Sequence, residues 1–123
     1  MSVRYHSLET LLLIVDTAGL QAARDLGLLE SAAMRPQTSL FGDDAYPTID
    51  EKAAVLLESI VRNHPLVDGN KRLGWIAMKT FYLMNGISLR APHDDAYDLV
   101  IGIAEGRIDY HHSAATLAQW TNP

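Results

Sequence analysis

His64, Asp68, Lys71 and Arg72 fall within one run of nine residues, His64-Pro65-Leu66-Val67-Asp68-Gly69-Asn70-Lys71-Arg72, which leads directly into an apolar segment. A helix N-terminus presents unpaired N–H groups and partial positive charge, so a polar run that feeds a helix is a ready anion site. Gly69 removes the side chain that would keep a phosphate from the backbone. Lys71 and Arg72 add full positive charge and donors for phosphate oxygens. Asp68 is the odd sign in this group, and a carboxylate beside a phosphate site is most simply a magnesium ligand. Asn70 either donates an amide hydrogen bond to a phosphate or holds the loop. His64 supplies the side-chain type that suits a general base acting on a hydroxyl near neutral pH. Base, metal ligand, cations and helix N-terminus together describe phosphoryl or nucleotidyl transfer. On residue types alone a plainer alternative stands beside this one: Asp68 as an N-cap, Lys71 and Arg72 solvated, His64 a turn residue.

The elements that must position these residues read as helices. Ser7 caps a helix over 8–18 that Gly19 ends. A second helix is expected over 21–34, with Gly27 a weak point inside it. Arg35 to Pro47, with two prolines, a glycine and small polar residues, reads as a loop long enough to be a lid or binding flap. Thr48 and Glu51 form a capping box ahead of a helix whose apolar stripe is Ile49, Ala53, Leu56, Leu57, Ile60 and Val61. Pro65 disfavours helical backbone at His64, so the motif is expected in a loop that ends where the next helix begins. From Leu73 to Met84 the chain is apolar nearly all round, the pattern of a buried central helix. Asn85-Gly86 closes it. Two further helices are expected, from about Asp94 to Gly106 and from Tyr110 to Trp120. No stretch alternates with the period of a strand. The fold class is all-α: a single domain over 1–123, about six helices around Leu73 to Met84.

Bulk properties narrow the partners. The chain has 123 residues, 48% of them apolar, and no cysteine, which removes disulfides, thiolate metal sites and a cysteine nucleophile. Lys and Arg number 10 against 15 Asp and Glu, a balance that favours protein or small-molecule partners over direct nucleic-acid binding. The apolar run Leu11 to Val15 is too short for a membrane span or a leader core and reads as the buried face of a helix, while the lack of cysteine fits the expected reducing cytoplasm. Ala22 to Ser31 has the outline of a helix-turn-helix around Gly27, but its second helix carries few groups to read a groove. His111 and His112 are adjacent, diverge on a helix and have no third ligand at metal spacing, so they read as surface residues. His6 and His93 read as histidines near helix starts without a catalytic role. Trp75, Phe81 and Tyr82 read as core.

The run from His64 to Arg72 resembles the signature of the Fic/Doc superfamily: histidine, proline, an aromatic, a variable residue, an acid, Gly-Asn, a variable residue and Arg. Lys71 occupies the variable position where AMP-transferring members usually have glycine and the Doc (death-on-curing) branch has lysine. Further segments resemble the Doc pattern in the same order: Arg24-Asp25, Gly27 to Ser31, Arg35-Pro36-Gln37, Tyr46-Pro47, Glu51 to Ala54 and Ala104-Glu105-Gly106. The resemblance thus runs from about Arg24 to about Trp120. It implies the toxin of a bacterial toxin–antitoxin pair, an ATP-dependent protein kinase whose target is a threonine of elongation factor Tu, with translation arrest as the result. It implies His64 as the base, Asp68 as the magnesium ligand, and Gly69, Asn70, Lys71 and Arg72 as the phosphate-holding residues. It implies a cognate Phd-like antitoxin with a segment that orders on binding, and a substrate-docking flap over 35–47. AMP transfer to a protein hydroxyl and a non-catalytic antitoxin-binding regulator are the alternatives. One position departs from the pattern: Leu66 stands where the superfamily usually has Phe.

Overall fold

The computed structural model describes residues 2–121. Six helices carry the architecture: α1 Leu8–Thr17, α2 Leu26–Met34, α3 Ile49–Asn63, α4 Asn70–Met84, α5 His93–Ala104 and α6 Tyr110–Thr121. The all-α expectation holds. No helix among the described residues is long and apolar enough to cross a membrane.

Helix α3 begins as its capping box requires: the Thr48 hydroxyl accepts the Glu51 N–H, and the Glu51 carboxylate reaches back to the Thr48 N–H. It is the most enclosed element, buried continuously from Lys52 to Val61. Helix α4 packs along it, with α2, α5 and α6 on its other flanks. Gly74 allows the close α3–α4 approach, since a Cβ there would lie 2.8 Å from Val61 Cγ2 and 3.1 Å from Leu57 Cδ1. Phe81 and Tyr82 are fully buried in α4, as their apolar neighbours require. The Tyr82 hydroxyl donates to Asp50 Oδ1 at 2.7 Å. Burial, and then that carboxylate, push the phenol well above its ordinary range.

Three boundaries differ from expectation. Residues 21–25 are not helical: α2 starts only after Asp25, whose carboxylate caps it through the Leu28 N–H at 3.1 Å. Helix α4 starts at Asn70 rather than Leu73, so three motif residues occupy its first turn. The 35–47 segment is not an irregular loop. A 3-10 turn, Arg35–Gln37, leads into two short antiparallel strands, β1 Ser39–Leu40 and β2 Asp43–Asp44, paired Ser39 with Asp44 and Leu40 with Asp43. Phe41 and Gly42 link them with φ of 53° and 86°, the sign pattern of the hairpin turn that matches strand twist.

The hairpin's stem is tied to α3 by buried charge. The Lys52 ammonium, 1% exposed, donates to Asp44 Oδ2 at 3.1 Å and to the Tyr46 carbonyl. Arg35 donates to Glu58 Oε1 at 2.9 Å and to Ser59 Oγ at 3.0 Å. The other Glu58 oxygen meets Arg62 at 3.3 Å, and Arg62 in turn donates to the carbonyls of Ile103 and Ile108. One buried carboxylate thus joins the hairpin base to the turn between α5 and α6.

Candidate active site

The motif sorts its residues by side. Pro65, Leu66, Asn70 and Leu73 are buried, while His64, Val67, Asp68, Lys71 and Arg72 are exposed. Leu66 is 1% exposed and belongs to the hydrophobic core, so the leucine performs the anchoring that the usual phenylalanine would. His64, Val67, Asp68, Gly69, Asn70, Lys71 and Arg72 line one open cavity of about 440 Å³. Every residue expected to carry chemistry therefore reaches the same space.

Gly69 sets the geometry at the mouth of α4. It is the N-cap, at φ 87°, a left-handed conformation that glycine adopts without strain. Asp68 does not cap the helix. Its Oδ1 accepts the N–H of Gly69 at 2.8 Å, and no side chain caps the first turn of α4. The Leu73 N–H is taken by the Gly69 carbonyl at 2.9 Å, which leaves the donors ahead of it unclaimed. An uncapped helix N-terminus opening into a cavity beside Lys71 and Arg72 could hold an anion. Asp68 lines the same cavity. No group of three or more metal-type ligands exists among the described residues. Asp68 is the carboxylate of this cavity that could hold a magnesium ion, with phosphates and water completing its shell.

Asn70 turns out to hold the loop. Its Oδ1 accepts the Leu66 N–H at 2.8 Å and its Nδ2 donates to the Leu66 carbonyl at 3.0 Å, so the amide closes the loop like a rung of sheet. The same Nδ2 lies 3.5 Å from His64 Nδ1. His64 itself caps α3 in the left-handed region, φ 51° and ψ 59°.

A second, apolar cleft of about 230 Å³ lies beside the first and shares Lys71 and Arg72 with it. Trp75, Ala96, Tyr97, Val100 and Ile101 form its walls, with His93 at its edge. Trp75 is thus only partly core: half-buried, it lines this cleft and meets Trp120 edge-on at 6.5 Å. The cleft was not legible beforehand, because it joins α4 to α5 across residues distant in sequence. A further cavity between α5 and α6, lined by Asp95, Asp98, Arg107 and His112, holds no motif residue. His111 and His112 are exposed, as expected. His93 is exposed at the start of α5. His6 differs: it is 4% exposed, with Nε2 donating to the Ala77 carbonyl at 2.9 Å.

The Fic/DOC family model matches residues 5–82, from ahead of α1 to near the end of α4, and so contains the whole motif cavity. The chain belongs to the Fic/DOC family. Among curated proteins it is similar to the Toxin Doc of Mycolicibacterium smegmatis (strain ATCC 700084 / mc(2)155), with 50% identity over 97 residues, 77% of this chain and 75% of that protein.

Proposed function

We propose that this chain is the toxin of a bacterial toxin–antitoxin pair and acts as a magnesium- and ATP-dependent protein kinase on a threonine of elongation factor Tu in the cytoplasm, held in check by a Phd-like antitoxin. Family membership and the similar Toxin Doc support the toxin role. The observation that carries the chemistry is the single cavity in which His64, Asp68, Lys71 and Arg72 meet the uncapped N-terminus of α4. Lys71 at the motif's variable position favours transfer of the γ-phosphoryl group over AMP.

In this reading the triphosphate lies on the first turn of α4, against its free N–H groups, with Lys71 and Arg72 matching its charge. The apolar cleft behind Lys71 and Arg72 has the size and lining for a nucleobase, and Trp75 and Tyr97 offer it aromatic surface. Asp68 would hold magnesium, which when bound adds positive charge at the phosphate oxygens. The threonine oxygen attacks the γ-phosphorus, the bond from that phosphorus to the β–γ bridging oxygen breaks, and ADP leaves. The hydroxyl proton passes to His64. Nε2 of His64 has no partner among the described residues and is the nitrogen that takes it. Acceptance at Nε2 requires the hydrogen on Nδ1, and the 3.5 Å contact with Asn70 is too long to lock the ring in the opposite tautomer.

The test is to incubate the purified chain with elongation factor Tu, magnesium and ATP and to read the target's intact mass. One added phosphoryl group is the expected result. One added AMP would mean that Lys71 does not decide which phosphate moves. An unmodified target, with ATP bound to the chain, would overturn the kinase reading for this target and favour the antitoxin-binding regulator.

A further inference from the structure

Helix α3 ends on a residue that is not glycine. His64 adopts the left-handed backbone that a side chain with a Cβ resists, and the capping position makes no backbone hydrogen bond back into the helix. Carbonyl groups at such an end need donors from elsewhere. Here they come from residues 20–25, the non-helical strap between α1 and α2. Arg24 donates to the His64 carbonyl through both Nε, at 3.2 Å, and Nη2, at 2.6 Å, and Nη2 also reaches the Asn63 carbonyl at 3.5 Å. The backbone N–H groups of Arg24 and Asp25 donate to the Pro65 carbonyl at 2.8 and 3.1 Å. Ala23 pairs with Leu66 in an isolated antiparallel bridge. Leu20 closes against the next turn, where its Cδ2 would stand 3.1 Å from a Cβ on Gly69.

We infer that Arg24 is a positioning residue for His64: its guanidinium holds the strained His64 backbone, and through it the orientation of the imidazole in the cavity. The phosphate-holding groups do not depend on it. Lys71, Arg72 and the free N–H groups belong to α4, which is fixed by the buried Leu73, Gly74 and Ala77 and by the Asn70 amide. Arg24 is exposed, so the fork is held by hydrogen-bond geometry rather than by packing. A planar guanidinium can present two N–H groups to neighbouring carbonyls at once, whereas an ammonium is a single point. The two readouts should therefore separate: removal of Arg24 loosens the base and leaves nucleotide binding in place.

This inference rests on the kinase reading for its kinetic arm only, so the experiment has a second arm. Arg24→Ala and Arg24→Lys are compared with the parent chain for transfer rate at saturating ATP and for ATP affinity. Misplacement of a catalytic group by about an ångström costs on the order of 100-fold, so Arg24→Ala should lose roughly 30- to 100-fold in rate with ATP affinity within about twofold, and Arg24→Lys should recover part of the rate. An unchanged rate in Arg24→Ala, or a rate lost in step with ATP affinity, would overturn it. The second arm reads NMR resonances of the His64 ring and the Leu66 amide, which need no substrate. Displacement confined to residues 63–66 in Arg24→Ala supports the brace; unmoved resonances, or loss of dispersion throughout the chain in both variants, sink it. If the parent chain transfers nothing, the kinase reading falls and the brace is judged on the NMR arm alone.

Discussion

In the loop from His64 to Arg72, apolar residues face inward and charge faces outward: Pro65, Leu66 and Leu73 are buried while His64, Asp68, Lys71 and Arg72 are exposed. In the hairpin from Ser39 to Asp44 the order is reversed. Its stem is held by the buried ammonium of Lys52 and by the Arg35–Glu58 pair, while Leu40 is 60% exposed and Phe41 fully so at its tip. Both regions hang on α3, the hairpin on its face from Lys52 to Ser59 and the motif from its end. The contrast is chemical. Exposed charge on an apolar anchor suits a small anion. An exposed aromatic on a polar anchor suits the surface of a macromolecule, because an aromatic left in water contributes only when something covers it. Under the proposed function the two regions would divide the work, the motif holding phosphate and the hairpin meeting protein.

The largest expected effect falls on His64. His64→Ala should reduce transfer by about 100- to 10,000-fold, the usual worth of a positioned base. Because the side chain is exposed, the melting temperature should barely move, and intact-mass kinetics beside a thermal melt checks both. A mild loss of rate would remove His64 from the base role and leave the motif as a binding loop. Next in size is the anchor. Leu66→Ala should destabilise the fold by about 2–4 kcal/mol, a buried large-to-small change, with the denaturation midpoint as the measurement. A smaller loss than about 1 kcal/mol would mean that Asn70, not the apolar residue, fixes the loop.

A pair of histidines repeats the contrast on a smaller scale. His64 is exposed and His6 is buried, with Nδ1 against the Thr10 hydroxyl at 3.0 Å and Nε2 on Ala77 O. Burial lowers the His6 pKa, and the bond to Ala77 opposes that only in part. With the folded-state pKa below the unfolded value of 6.5, the unfolded chain binds the proton first, so stability is present above about pH 6.5 and declines as the pH falls below it. Urea midpoints measured between pH 7.5 and 5.5 should fall in the parent chain and fall less steeply in His6→Gln. Equal slopes would show that another group carries the acid sensitivity.

The motif and its helix were readable because they rest on short-range rules. The capping box at Thr48 and Glu51 is four residues of local chemistry, and α3 begins where it says. The motif's grouping of base, acid and cations needed only proximity in sequence, and one cavity gathers them. The misread segments are those in which a distant partner decides. Gln21 to Arg24 are adequate helix formers, but the N–H groups of Arg24 and Asp25 bond to the Pro65 carbonyl, some 40 residues away in sequence, and α2 cannot begin before Asp25. Asp25 as an N-cap was the available local signal. The hairpin escaped because two residues per strand cannot display a period of two, and because Phe41-Gly42 lacks the Asn or Asp that marks such a turn. The Arg24 bonds to the Asn63 and His64 carbonyls were equally hidden, since a guanidinium's partners are set by the fold.

The smallest expected effect on stability belongs to the hairpin tip. Phe41 sits at φ 53° with its ring in solvent. Asparagine tolerates that backbone better than a bulky residue does. Phe41→Asn should therefore leave stability unchanged or raise it by about 0.5 kcal/mol, the range expected of surface changes, and should leave ATP affinity untouched because the cavity residues are elsewhere. If the hairpin meets protein, the same variant should bind its antitoxin or its target more weakly, by roughly 1–2 kcal/mol for one exposed aromatic anchor. Calorimetry of Phe41→Asn against each partner separates the cases. Weakened binding of one partner alone would assign the hairpin to that partner. Undiminished binding of both would leave the exposed ring without a protein to cover it, and the division of work between hairpin and motif would fail.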